Sequence, residues 1–489
     1  MVVCFALVIL LIICVLAFAN QKPKNYPPGP SWLPFLGCFL QIRNIHAKKP
    51  YYHLVWAQMQ QMYGPVVGLK LGMNKVIVVS GYEAVQQAMF KTDFQGRPDG
   101  FCFRLRTMGQ RLGLVFVDGS FMKEQRRFCL SQLRLFGWDK TQMNDIVVKE
   151  GAELVNLIKN ECQRGPIQAE HLFDVSTLNT IWTMIASTRF SLDDEKLIKL
   201  VYLVHEVFRI LDMSGGPLNQ MPFIRYVAPK KSGYASMVAI TAELVDFLKE
   251  VVREHQESQA DSFINTFLQE VNNNKSNKDS TFTENQLLAI LMDFFMAGTE
   301  TTSNTLSFMI HYLVKYPQVQ EKIHAEIDRA LNPQQIPTME DKDKLVYLEA
   351  TIMEVQRHGS PVPITVPHKT IQDTKLMNYS IPKDTIVLPN IWSVHMDEDY
   401  WKDPHVFRPE RFIDSKGKII QHTHFMPYGL GKRRCIGEIL AKTTLFIFIS
   451  AILQSFKVES NSDTDFTAKL IDGITLALVP FQVKFIPRK

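Results

Sequence analysis

The sequence predicts a mainly α-helical fold with small β-sheets, of the α+β class, carried on an N-terminal transmembrane helix. Three observations predict it. Val2 to Ala19 is an unbroken run of 18 apolar residues. Long stretches of helical periodicity fill the middle of the chain, and short β-rich runs lie towards both ends. Helices in the middle with strands from both ends argue for one mixed domain, although 489 residues would allow roughly three at about 150 each.

The apolar run just reaches the roughly 20 residues that a bilayer core requires. Lys22 and Lys24 follow it, and positive charge on that flank places the rest of the chain on the cytosolic side. The competing reading is a cleaved signal peptide ending at Ala17-Phe18-Ala19. Against it stand the missing basic n-region and a run longer than the usual h-region. Pro23, Pro27, Pro28, Pro30 and Pro34 then make a stiff exit, because proline fixes φ and cannot continue a helix. The expected division is a membrane anchor over 1–22, a proline-rich hinge over 23–35 and the body of the protein over 36–489.

Val66–Leu71 and Lys75–Val79, joined through Gly72-Met73-Asn74, read as a hairpin. Helices are predicted over 141–162, 173–190, 194–212, 234–256, 284–315, 317–331 and 342–358, and short strands near 363–388 and 471–487. The polar stretch Asn272–Ser280 reads as a surface loop, because a helix start at Thr283-Glu284 follows directly.

Composition excludes several functions. Lys plus Arg is 54 and Asp plus Glu 49, a formal charge of +5. That is a mild excess and not the footprint of a nucleic-acid binder. A chain 46% hydrophobic and 21% charged is not disordered. The seven cysteines are odd in number, widely spaced and without a CxxC pair. They suggest neither a disulfide framework nor a zinc site, and they fit a reducing compartment.

One cysteine is different. Cys435 lies in Tyr428-Gly429-Leu430-Gly431-Lys432-Arg433-Arg434-Cys435-Ile436-Gly437. Arg433 and Arg434 bring positive charge, and the helical pattern from Glu438 puts Cys435 near a helix N-terminus. Both favour a thiolate. Gly429, Gly431 and Gly437 remove side chains, so a flat ligand can approach the backbone. A buried cysteine in a turn is the plainer reading of such a residue. The window, however, resembles the haem-ligand loop of the cytochrome P450 family, Phe-x-x-Gly-x-Arg-x-Cys-x-Gly, with Tyr428 where the family usually has Phe. The resemblance implies haem b with Cys435 as axial thiolate, and Tyr428, Gly431 and Gly437 beside it. The added hydroxyl is expected to leave haem binding intact and to shift the iron potential.

Further signatures follow in the family's order. Glu354-Val355-Gln356-Arg357 matches ExxR and gains weight from Pro409-Glu410-Arg411-Phe412. The resemblance implies that Glu354, Arg357 and Arg411 form a buried structural network under the cysteine loop. A plain surface i,i+3 pair is the alternative. Ala297-Gly298-Thr299-Glu300-Thr301-Thr302 resembles the oxygen-activation motif, in which a local helix distortion makes room for dioxygen. Thr301 would hold a water and the bound oxygen, and Glu300 would relay protons from solvent. Arg126, His368 and Arg433 match residues that hold the haem carboxylates. Here Met122 replaces the usual Trp and cannot donate a hydrogen bond, so weaker haem retention is expected.

The layout resembles the microsomal branch, and most of all insect members related to the vertebrate drug-metabolising group. It implies an oxidoreductase anchored in the endoplasmic reticulum membrane. Such an enzyme is fed electrons by NADPH-cytochrome reductase and by cytochrome b5, and acts on a small hydrophobic substrate. Lys123, Arg127, Lys432 and Arg434 are the docking candidates. Phe101, Phe103, Leu114, Phe116, Asp293, Ala297, Val362 and Val366 are the candidate substrate residues. Asp293 could pair a cationic substrate nitrogen or accept hydrogen bonds from nearby backbone. The leading reading is a haem-thiolate monooxygenase performing hydroxylation, epoxidation or N-hydroxylation. Epoxidation of a juvenile-hormone-type sesquiterpenoid and conversion of an aromatic amino acid to an aldoxime are two candidates, with general detoxification open. A haem-thiolate isomerase or dehydratase and a non-enzymatic haem-bound ligand carrier are the competing classes.

Overall fold

A computed structural model describes residues 21–213, 216–258, 261–333, 335–461 and 469–488. The expected anchor over 1–22 lies, apart from its last two residues, outside the described residues.

The hairpin forms as two antiparallel strands, β1 (Val66–Leu71) and β2 (Asn74–Val79), paired Val66 to Val79. The turn shrinks to Gly72-Met73, and Gly72 takes φ +59°, a left-handed backbone that glycine adopts without cost. Two strands from far along the chain complete the sheet: β3 (His368–Lys369) and β4 (Ile386–Pro389), in the order β1-β2-β4-β3. The β2–β4 pairing is parallel and β3–β4 antiparallel. A second sheet of three antiparallel strands sets Gln482–Pro487 between Ile167–Gln168 and Phe456–Ser460. The strands at 167–168 and 456–460 were not expected from sequence, because they are short and one directly continues a helix.

Seven helices build the frame of the site. They are α1 (Gly119–Leu135), α2 (Thr141–Glu161), α3 (Asp174–Ala186), α4 (Glu195–Ile210), α5 (Glu284–Lys315), α6 (Val346–Gly359) and α7 (Glu438–Ser455). Two of them, α4 and α5, start on a side-chain cap. The Asp194 carboxylate accepts the Leu197 N–H at 3.0 Å, and the Thr283 hydroxyl accepts the Gln286 N–H at 3.1 Å. The stretch after Asn273 is a turn-rich surface loop leading to that Thr283 cap.

α3, α5 and α7 are buried over most of their residues, polar ones included, and lie in one core with α2 and α4. α7 is the only helix among the described residues long and apolar enough to cross a membrane, and two thirds of it is buried inside the protein. Gly298 on α5 faces α3, where a Cβ would stand 3.2 Å from Ile181 Cγ2. Its small size serves helix packing. α5 itself is a continuous α-helix of 32 residues, so the expected local distortion does not appear. The Thr299 and Thr301 hydroxyls turn back onto the carbonyls of Phe295 and Ala297, at 2.7 and 3.0 Å.

Candidate active site

The cysteine loop is shaped by its backbone. Gly429 and Gly431 take φ +71° and +69°, and a Cβ on Gly431 would stand 2.4 Å from the Met89 carbonyl oxygen. Gly431 is therefore required by the neighbouring chain and its own backbone, a reason different from ligand access. A 3-10 turn over Gly431–Arg433 leads to Cys435, whose N–H donates to the Tyr428 carbonyl at 3.0 Å. Burial pushes the Cys435 thiol up. The Gly437 backbone N–H pulls it down and Glu438 pushes it up, while Arg126 and Arg434 pull it down. Thiolate there requires a further positive partner, which a metal ion supplies.

Behind the loop lies a buried ion network. Glu354 and Arg357 are fully buried. Glu354 accepts from Arg357 at 2.7 and 2.8 Å, from Arg411 Nε at 3.0 Å and from the Arg408 N–H at 2.9 Å. Arg357 donates onward to the His395 carbonyl at 2.7 Å, and the His395 Nε2 accepts the Met426 N–H at 3.2 Å. The charged cluster thus reaches the start of the cysteine loop through one histidine. The Tyr428 hydroxyl accepts from Gln356 Nε2 at 2.8 Å, which turns it towards α6.

On the other side, basic groups gather. Arg126 donates to the Arg434 carbonyl at 2.8 Å. Arg433 donates to the carbonyls of Gln95 and Val117. Burial brings Arg433 down to about 10, with Asp118 opposing and Arg126 adding to the fall. His368 is placed by β3, shares a hydrogen bond with the Phe94 carbonyl at 2.8 Å, and is held neutral by burial and by Arg97 and Arg433. Arg97 was missed by sequence reasoning. It is almost fully buried, bonded to the carbonyls of Val115, Val366 and Pro367, and depressed by burial and by the charges of Arg433 and Arg126. A lone arginine in Gly96-Arg97-Pro98 carries no signal until the fold folds it inward. Three guanidiniums and an imidazole meet there, with Asp118 as the acidic neighbour. Its carboxylate also pairs with Arg111 at 2.7 Å. Such an excess of buried positive charge calls for anionic groups.

α5 presents Ala297 and Thr301 on its less buried side. Glu300 is fully buried and turned elsewhere: it accepts from Arg209, His205, Asn304 (2.8 Å) and Thr475 (2.6 Å). No hydrogen bond joins it to Thr301 among the described residues. Phe103 stacks on Phe116 with centroids 4.2 Å apart. Asp293 forms an ion pair with Arg106 at 2.6 Å and accepts the Leu114 and Val115 N–H groups at 2.6 and 3.2 Å, so it pins the 97–118 loop. Gly113 makes this reach possible, since a Cβ there would stand 2.4 Å from the Asp293 carboxylate. Phe101 lies apart, against Tyr234 and under Arg225. Val362 packs against the apolar cluster that holds Leu69, Val78 and Ile364 at the first sheet, and the Val366 carbonyl serves Arg97.

A family model for cytochrome P450 matches residues 27–485. The chain belongs to the cytochrome P450 family. Its P450 relatives include farnesoate epoxidase of Bombyx mori, 37% identical over 99% of both chains. Probable cytochrome P450 305a1 of Drosophila melanogaster is 37% identical over 99% of this chain and 98% of its own. Human cytochrome P450 2C8 is 33% identical over 95% of each. Insect and vertebrate microsomal P450s thus flank it, as the motifs implied. P450 proteins bind haem b through an axial cysteine thiolate. The Cys435 thiol and the gathered basic groups fit such a group, one sulfur for the iron, and three guanidiniums and the His368 imidazole for its carboxylates. The protein is a haem-dependent monooxygenase, an oxidoreductase that works with a redox-partner reductase and a small-molecule substrate.

Proposed function

We propose that this P450 epoxidises a farnesoate-type sesquiterpenoid, using electrons from an NADPH-cytochrome reductase at the endoplasmic reticulum membrane. The observation that carries the substrate is the end-to-end likeness to an insect farnesoate epoxidase. In the overall reaction an alkene, O2, two electrons and two protons give an epoxide and water. When bound, haem supplies the oxygen activation.

The chain's own residues do the rest. Cys435 would supply the sulfur ligand to the haem iron. Arg97, Arg126, His368 and Arg433 would hold the haem carboxylates. Glu354, Arg357 and Arg411 keep the cysteine loop in place through His395. The Thr301 hydroxyl, parked on the Ala297 carbonyl, is the proton-bearing group facing the reacting side. Glu300 supplies protons to it only after leaving its present partners. Phe103, Phe116 and Leu114 with Ala297 offer the apolar wall that orients an isoprenoid chain and excludes water.

Exposed Lys123, Arg127, Lys432 and Arg434 offer a basic face to an acidic reductase or to cytochrome b5, and reduction that slows as salt rises is the check on that docking. Exposed Phe35, Phe223, Tyr226 and Val227 support contact with membrane lipid in addition to the N-terminal anchor. The functional test is turnover of farnesoate and its methyl ester in microsomes with reductase and NADPH, read by mass spectrometry. An NADPH-dependent gain of one oxygen at a double bond is expected. Intact haem-thiolate protein that forms no epoxide would overturn the substrate.

A further inference from the structure

Beside α5, away from the cysteine loop, two histidines converge on one carboxylate. His171 precedes α3, Asp174 begins it, and His205 comes from α4. His171 Nδ1 lies 2.7 Å and His205 Nε2 2.8 Å from the same oxygen, Asp174 Oδ2. The ligand atoms of the three residues all lie within 4.8 Å of one another. The imidazole rings are 4.6 Å apart.

The outer nitrogens matter as much. His171 Nε2 is 3.3 Å from Glu170, and His205 Nδ1 is hydrogen-bonded to Glu300. The second Asp174 oxygen accepts from Ser303. Each ring therefore points one nitrogen inward at a shared carboxylate and is backed by another carboxylate on its far side. That is the supporting shell which orients metal-bound histidines and raises their basicity. All four ring nitrogens face acidic oxygens, which favours a proton on each ring, so a metal ion entering between the rings does so by displacing those protons. A cavity of about 210 Å³, lined by Glu170, His171, Tyr202, His205 and Arg209 among others, opens beside it. It leaves room for water in a fourth position.

We propose that His171, Asp174 and His205 bind one divalent transition-metal ion of the zinc class. Two imidazoles and a carboxylate suit zinc far better than the oxygen-seeking magnesium or calcium. The site uses no cysteine. The ion ties the start of α3 to α4 and, through His205, fixes the carboxylate of Glu300 on α5. The inference rests on this cluster alone and stands apart from the choice of substrate.

The test uses the full-length haem-loaded protein, stripped with EDTA and titrated with Zn2+ by calorimetry, with metal content by mass spectrometry and zinc-edge X-ray absorption. One Zn2+ per chain is expected, with nitrogen and oxygen neighbours at about 2.0–2.1 Å and no sulfur. His171 lies at the exposed edge, so His171→Ala should keep the haem spectrum and weaken zinc binding at least tenfold. Glu170→Gln should weaken it about tenfold or more through the supporting shell. No stoichiometric zinc, sulfur among the ligands, or full affinity in His171→Ala would overturn the site.

Discussion

Glu354 carries a structural duty beside the site. It satisfies two arginines and a backbone N–H while fully buried. Glu354→Ala strands both guanidiniums, and breaking a buried pair costs about 3–5 kcal/mol. Thermal unfolding and haem content should both fall, whereas a surface pair would move neither by much. Thr301→Ala removes the hydroxyl and should divert NADPH into peroxide with less product, read as product formed per NADPH consumed. Unchanged coupling would remove Thr301 from proton delivery. At this scale the sequence was informative where motif spacing binds residues to one another, as in Glu354, Arg357 and Arg411. It was silent on Arg97 and His395, whose partners lie hundreds of residues away or on backbone atoms. Asp293 shows the same limit. Its choice between substrate and backbone depended on Arg106 and Gly113, which no local pattern ties to it.

Among elements, the cysteine loop depends on the Ile391–His395 helix as well as on its own glycines. Burial, then the charge of Arg357, brings His395 down to about 3, so it stays neutral and accepts the Met426 N–H. In the unfolded chain it titrates near 6.5. The fold's advantage is therefore complete above about pH 6.5. It falls by about 1.4 kcal/mol per pH unit as the pH drops towards 3. His53, brought to about 4 by burial, adds to the same loss. Haem release and unfolding should thus set in on the acid side. His395→Gln keeps an acceptor but cannot titrate, so it should flatten the acid slope of stability by about one proton. An unchanged slope would separate His395 from the loop. The long helices were legible from their apolar periodicity, and two of them also from side-chain caps, at Asp194 and Thr283. The short strands 167–168 and 456–460 were not, since pairing with the distant 482–487 strand alone defines them.

Across the molecule, length suggested about three domains, yet one apolar cluster joins buried residues from Cys129 to Phe485. The first sheet is likewise closed by β3 and β4, which lie some 300 residues beyond the hairpin. Such long-range closure brings segments from both ends of the chain together, and a rule based on length alone does not see it. The basic cluster of Arg97, Arg126, Arg433 and His368 draws on four separate segments, which makes sense as a receptor for haem carboxylates and costs charge repulsion otherwise. The most direct test is the spectrum of the reduced protein with carbon monoxide. Thiolate ligation by Cys435 predicts the red-shifted Soret band in the wild type and its loss in Cys435→Ser. A wild-type spectrum typical of histidine ligation, or a band that survives Cys435→Ser, would contradict the account.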